Sequence, residues 1–283
     1  MRSSASILLL VERGDRVHGG LNKALLLARH FGARLDLFLC DTEGYTAASG
    51  DPVAAGRTRS ECVTQGLEYL QALRKAVRAP DIEIVAEVTC APSLREALAT
   101  RLLRNPADLL VKTLVADRYD DRRRPPEWAA VAECPAPLLL TRGRPWRPAA
   151  QFGVAVARSH PSARGADDAA GALAKVFAKA CDARLDTVYV DDAPLAAATP
   201  DSAHDVATVA RDLTAFVIER DWDLVVLEKP RATAAATAYG RVADILAATT
   251  ADVVLADSSA QVTLRAGAAA RTRVRDERAH PRQ

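Results

Sequence analysis

The feature that most limits what this chain can fold into is that it repeats itself. Ala33-Arg34-Leu35-Asp36 recurs as Ala183-Arg184-Leu185-Asp186, an offset of 183 − 33 = 150 residues. Ala107-Asp108-Leu109-Leu110-Val111 matches Trp222-Asp223-Leu224-Val225-Val226, and Ala136-Pro137-Leu138-Leu139-Leu140 matches Ala251-Asp252-Val253-Val254-Leu255, both at an offset of 222 − 107 = 115. A repeat on this scale is one structural unit used twice, and it constrains the architecture before any propensity is weighed. The offsets differ by 150 − 115 = 35 residues. The second copy is therefore expected to lack one helix and one strand between its second strand and its Asp-Leu-Val strand. Its second strand, residues 185–190, would then lie on a sheet edge open to a partner or to a covering segment such as the tail after Asp257.

Within the first copy, apolar runs at 7–12, 35–40, 82–88, 108–114 and 137–141 are rich in Leu, Ile and Val and read as buried parallel strands. Helical stretches at 19–31, 57–78, 93–104 and 126–133 lie between them, punctuated by Gly32, Pro80, Pro92, Pro106 and Pro135. The second copy reads as strands at 152–157, 185–190, 223–228 and 252–257, with helices at 168–181, 203–220 and 239–248. Alternating strands and helices imply right-handed crossovers and a doubly wound parallel sheet. The chain of 283 residues thus divides into a first unit at 1–143, a shortened second unit at 149–258 and an Ala/Arg-rich tail at 259–283. Arg142-Gly143-Arg144-Pro145-Trp146-Arg147-Pro148 forms the linker, stiffened by two prolines.

Composition excludes several classes of function. Apolar residues make up 49% and charged residues 26%, enough to bury real cores, and the formal charge of +2 gives no global attraction to nucleic acid or membrane. The apolar run from Ile7 to Val11 is too short for a secretory or membrane-spanning segment, so a cytoplasmic protein is expected. Cys40, Cys62, Cys90, Cys134 and Cys181 show no CxxC pair, and the five histidines show no ligand spacing, so no metal is expected. Arg122-Arg123-Arg124 and the tail arginines lack interleaved aromatics and read as solvated surface rather than a nucleic-acid site.

Two tandem units with "DLLVKT" and "DLVVLE" strands resemble the universal stress protein A family. The stretch Pro125-Pro126-Glu127-Trp128, Cys134-Pro135-Ala136-Pro137 and Arg144-Pro145-Trp146 is similar to the first half of tandem members of the universal stress protein E type. The resemblance implies an α/β fold of two doubly wound sheets of the adenine nucleotide alpha hydrolase kind, strand order 3-2-1-4-5, joined by antiparallel pairing of their last strands. One chain would mimic a dimer, with 138–141 beside 253–256. It also implies where a nucleotide would bind: an Asp ending the first strand holds adenosine, and a glycine-rich loop after the fourth strand cradles phosphates on backbone N–H groups. Here Glu12 and Ala157 occupy the Asp positions, and no glycine lies between Leu109 and Arg142. The second copy keeps Gly240, with Lys229, Arg231 and Arg241 as the cations that would flank a modified anion site. The expected function is accordingly non-enzymatic binding of a protein partner or small ligand in the stress response, without a cofactor. Binding or slow hydrolysis of ATP at Glu12 or the Lys229, Arg231, Gly240 and Arg241 group is the alternative. Redox sensing through Cys40 and Cys90, at the ends of neighbouring strands, is the third.

Overall fold

The computed structural model describes residues 5–13, 19–47, 52–77, 79–114, 131–147, 153–158, 169–190, 208–210, 222–229, 246 and 250–256. Its strands are β1 (Ser6–Val11), β2 (Arg34–Asp41), β3 (Ile84–Cys90), β4 (Leu109–Thr113), β5 (Leu138–Thr141), β6 (Gly153–Arg158), β7 (Arg184–Val190), β8 (Thr208–Ala210), β9 (Leu224–Glu228) and β10 (Asp252–Ala256). The helices are α1 (Gly19–Phe31), α2 (Thr42–Ala47), α3 (Pro52–Val77), α4 (Leu94–Arg104) and α5 (Ala169–Ala180). All ten strands form one sheet in the order β3-β2-β1-β4-β5-β10-β9-β6-β7-β8. Read inward from its outer edge, each half has the same 3-2-1-4-5 arrangement. The halves meet where β5 and β10 pair antiparallel, with Val253 opposite Leu140, Val254 opposite Leu139 and Leu255 opposite Leu138.

The strands are apolar on both faces because helices cover both. Ile7, Leu9, Leu37, Val111 and Leu139 pack with α1, α3 and α5, whereas Leu8, Leu10, Phe38, Leu110 and Leu138 pack with α4. The first of these layers runs unbroken through both halves. Phe31 of α1 meets Phe177 of α5 edge to face, with ring centroids 6.0 Å apart.

The repeat extends to backbone geometry. Each of the first helices ends with a reverse bond, Ala33 N–H to Ala28 carbonyl at 2.9 Å and Ala183 N–H to Ala178 carbonyl at 2.8 Å. The residue that turns the chain between them is left-handed in both cases, Gly32 at φ 60° and Asp182 at φ 51°. Glycine takes that conformation freely, and aspartate pays a steric cost.

One expectation is corrected. The second half keeps its third strand: Thr208, Val209 and Ala210 pair parallel with Val188, Tyr189 and Val190, so β7 is an interior strand and β8 forms the edge. The 33 residues from 191 to 223 (223 − 191 + 1), between β7 and β9, leave room for a shortened strand rather than none. Residues 208–210 also interrupt the helix expected at 203–220; β-branched Thr208 and Val209 favour the extended chain. The rest of that stretch, most of the helices expected at 126–133 and 239–248, and the tail lie outside the described residues.

Two lysines stitch the central seam, one from each half. Lys23 of α1 is 4% exposed, and its three N–H groups donate to Asp252 Oδ2 at 2.6 Å, Thr141 Oγ1 at 2.8 Å and the Arg142 carbonyl at 3.0 Å. Asp252, 1% exposed, also accepts from Thr141 Oγ1, the Arg142 N–H and Trp146 Nε1. At the opposite end of the seam Lys229 crosses back to donate to the carbonyls of Cys134 and Ala136. The linker is fastened as well, through Arg144 on Thr250 and a forked Arg147 contact on Asp223. None of this obeys the internal twofold. The repeat places Leu173 opposite Lys23 (23 + 150) and Pro137 opposite Asp252 (137 + 115).

Burial sets the energetics of the Lys23–Asp252 pair: desolvation lowers the lysine pKa and raises that of the aspartate, each opposed by the partner's charge. Lys23→Met strands a buried carboxylate and is expected to cost about 3 kcal/mol, while Lys23→Met with Asp252→Asn recovers much of that loss in urea unfolding. A full loss in the double variant would show that the charge pair does not set the cost. Asp182→Gly removes the left-handed strain and is expected to raise stability by about 0.5–1 kcal/mol in the same assay.

Candidate functional site

In open α/β sheets ligands bind beyond the carboxyl ends of the strands where the strand order reverses, here between β1 and β4. Glu12 directly follows β1, and Lys112 sits beside Leu10 on β4. The Lys112 ammonium, its side chain 3% exposed, forms a salt bridge with Glu12 Oε1, and Glu12 is 32% exposed. The carboxylate expected at this point is present, but it is held by a buried cation of its own chain. The first turn of α1 is packed down beside it. A Cβ on Gly20 would come within 2.0 Å of Thr113 Oγ1, and one on Gly19 within 2.4 Å of the Gly143 carbonyl oxygen, so only glycine fits at either place.

The neighbouring wall is built around Asp41 at the end of β2. Its Oδ1 accepts the Gly44 N–H at 2.8 Å at the start of α2, and its Oδ2 pairs with Arg13 Nη2 at 3.2 Å. Arg13 also donates to the Cys62 carbonyl at 3.1 Å. Arg59 stacks over Tyr45, 4.9 Å from the ring centroid. Cys40 and Cys90 both border this region, yet they are on opposite faces of the sheet. Cys90 is in register with Asp41, and Cys40 is the residue before it, packed with the layer beneath α4. Burial pushes the Cys40 thiol up to about 11.

In the second half Ala157 lies within β6, and Glu228 ends β9, where it is exposed. Lys229 turns toward the Cys134 and Ala136 carbonyls of the first half, at 2.5 Å from the former. Arg231, Gly240 and Arg241 lie outside the described residues. A cavity of about 10 Å³, room for one water, opens at the seam between Lys23, Trp146, Trp222, Asp223 and Asp252. It is far too small for a nucleotide.

Sequence reasoning put Glu12 at the end of the first strand, where it directly follows β1, and missed Lys112, Lys23 and Asp252. Each is a charged residue in an otherwise apolar stretch, and that is the signal a reader of sequence has for a buried ion pair. Glu12→Gln leaves the buried Lys112 uncompensated, and it is expected to lower stability by about 1–3 kcal/mol because Glu12 itself is partly solvated. Lys112→Met, which removes the buried charge, is expected to cost less; urea midpoints compared at constant m-value distinguish the two.

No protein-family model matches the sequence, and no curated protein matches it. Solved structures do match its fold. A universal stress protein from Archaeoglobus fulgidus DSM 4304 superposes with a TM-score of 0.64 at 10% identity, over 90% of this chain and 97% of that one. A candidate universal stress protein from Pseudomonas aeruginosa UCBPP-PA14 gives 0.62 at 16% identity, over 90% and 94%. A functionally unknown protein from Pseudomonas aeruginosa PAO1 gives 0.61 at 15% identity, over 90% and 93%. The chain has the fold of the universal stress proteins.

Proposed function

We propose that this protein is a cytoplasmic, non-enzymatic protein of the universal stress type that acts in the stress response by binding a protein partner or small ligand, with nucleotide crevices that have lost their original use. The observation that carries this reading is the Glu12–Lys112 pair. A carboxylate that serves a nucleoside must be open to ribose hydroxyls; here a ligand would first have to break a salt bridge to a buried lysine, which is costly. The sequence supports the same reading, since the segment after β4 has no glycine before Arg142 with which to bring backbone N–H groups onto phosphate oxygens. In the second half, Lys229 is engaged with backbone carbonyls.

Native mass spectrometry of protein purified from its own host without added nucleotide, followed by titration with ATP, tests the reading. The expected outcome is a bare chain, no ATP adduct in the micromolar range and no nucleotide-dependent rise in melting temperature. A copurifying or micromolar adenine nucleotide would overturn it and direct mutagenesis to Glu12 and to the Lys229, Arg231 and Arg241 group.

A further inference from the structure

Cys62 of α3 is close enough to Cys90 for its charge to push the Cys90 thiol pKa up. Asp41 and Cys90 are paired in register on parallel strands, so their side chains share the face on which α3 packs. The contact between that helix and β3 is fixed at Gly66, where a Cβ would meet Val88 Cγ1 at 2.8 Å and Leu39 Cδ2 at 3.1 Å. A helix that crosses from β2 to β3 runs antiparallel to both. One turn back from Gly66 is Cys62, and two residues on from Val88 along the same strand face is Cys90. These steps have nearly equal length, about 6 Å along the helix and about 6.6 Å along the strand, so they carry Cys62 over Cys90. Two further contacts hold Cys62 at that end of the sheet. A Cβ on Gly44 would lie 2.2 Å from its Sγ, and its carbonyl accepts from Arg13, which is itself paired with Asp41. Cys62 and Cys90 are each only half-buried.

We propose that Cys62 and Cys90 form a reversible disulfide that clasps α3 to β3 over the mouth of the first crevice, made by a peroxide. Cys62, beside the guanidinium of Arg13, is the sulfur that reacts first, attacking an oxygen of the peroxide. It displaces hydroxide from the peroxide as the O–O bond breaks, giving the sulfenic acid. The Cys90 sulfur then attacks Cys62, and the second hydroxide departs. Two thiols lose two electrons and two protons, and the peroxide is reduced to two waters. The glycine at position 66 brings helix and strand backbones together one turn away, which suits a bridge that needs its Cα atoms within about 7 Å. Burial and the Asp41 charge raise both thiol pKa values, which keeps the thiolate fraction low and makes the oxidation slow.

The full-length protein, treated with hydrogen peroxide, is analysed by intact mass and by non-reducing peptide mapping. The expected result is a loss of two hydrogens per chain, a cross-linked pair of peptides carrying Cys62 and Cys90, and full reversal by dithiothreitol. Cys62→Ser or Cys90→Ser abolishes the link and Cys40→Ser leaves it intact. Wild-type protein that keeps all five thiols, or that joins Cys90 to Cys40 instead, overturns the proposal without reliance on any variant's folding.

Discussion

The structure depends on one antiparallel seam. β5 and β10 are short, with four and five residues, and their registered contact is only three residue pairs. Backbone hydrogen bonds of that number would hold two halves weakly, since each contributes on the order of 1 kcal/mol net. The apolar layer shared by α1 and α5 provides area, and the two lysines provide alignment. Lys23 and Lys229 come from opposite halves and act at opposite ends of the seam, so sliding either strand breaks contacts at both. A buried ion pair is weak as a source of stability but strong as a determinant of register, because a misplaced partner leaves a bare charge in the core.

The same use of charge bears on the crevices. A Rossmann-like unit places its reactive groups at the carboxyl ends of β1 and β4, and in this chain those groups face one another. Glu12 is matched to Lys112 and Asp41 to Arg13, with the first turn of α1 closed down on Thr113 at Gly20 and on Gly143 at Gly19. The charged groups at this end of the sheet are thus partners of the chain itself. Fold alone does not carry function, and what this crevice shows is a carboxylate and a buried lysine paired with each other.

Much of the fold could be read from sequence because its signals are local. The α1 boundaries follow from Gly32 and from apolar spacing, and the repeat identifies Leu138-Leu139-Leu140 and Val253-Val254-Leu255 as equivalent strands, while their antiparallel pairing was implied only by the family resemblance. β8 was hidden because three residues carry no period, and an Ala/Val/Thr-rich run serves helix and strand about equally well. The charge pairs were hidden for another reason. Lys23 and Asp252 are 229 positions apart, and no local pattern couples them. The thiols show the limit of strand order as a guide: neighbouring strands bring Cys40 and Cys90 together in the plane of the sheet, while the pleat sends them to opposite faces.

The departure of the seam from its own twofold has a consequence for how such a chain can change. In a dimer of identical subunits every interface residue appears twice, so a lysine placed at position 23 would face a copy of position 137 on the other subunit, where this chain has proline. Joining the halves in one chain removed that duplication and let Leu173 and Lys23, or Pro137 and Asp252, diverge in complementary ways. The halves have become lock and key to one another. Two copies of the first half would each bury a lysine with no acid to receive it, so neither half can now be exchanged for the other.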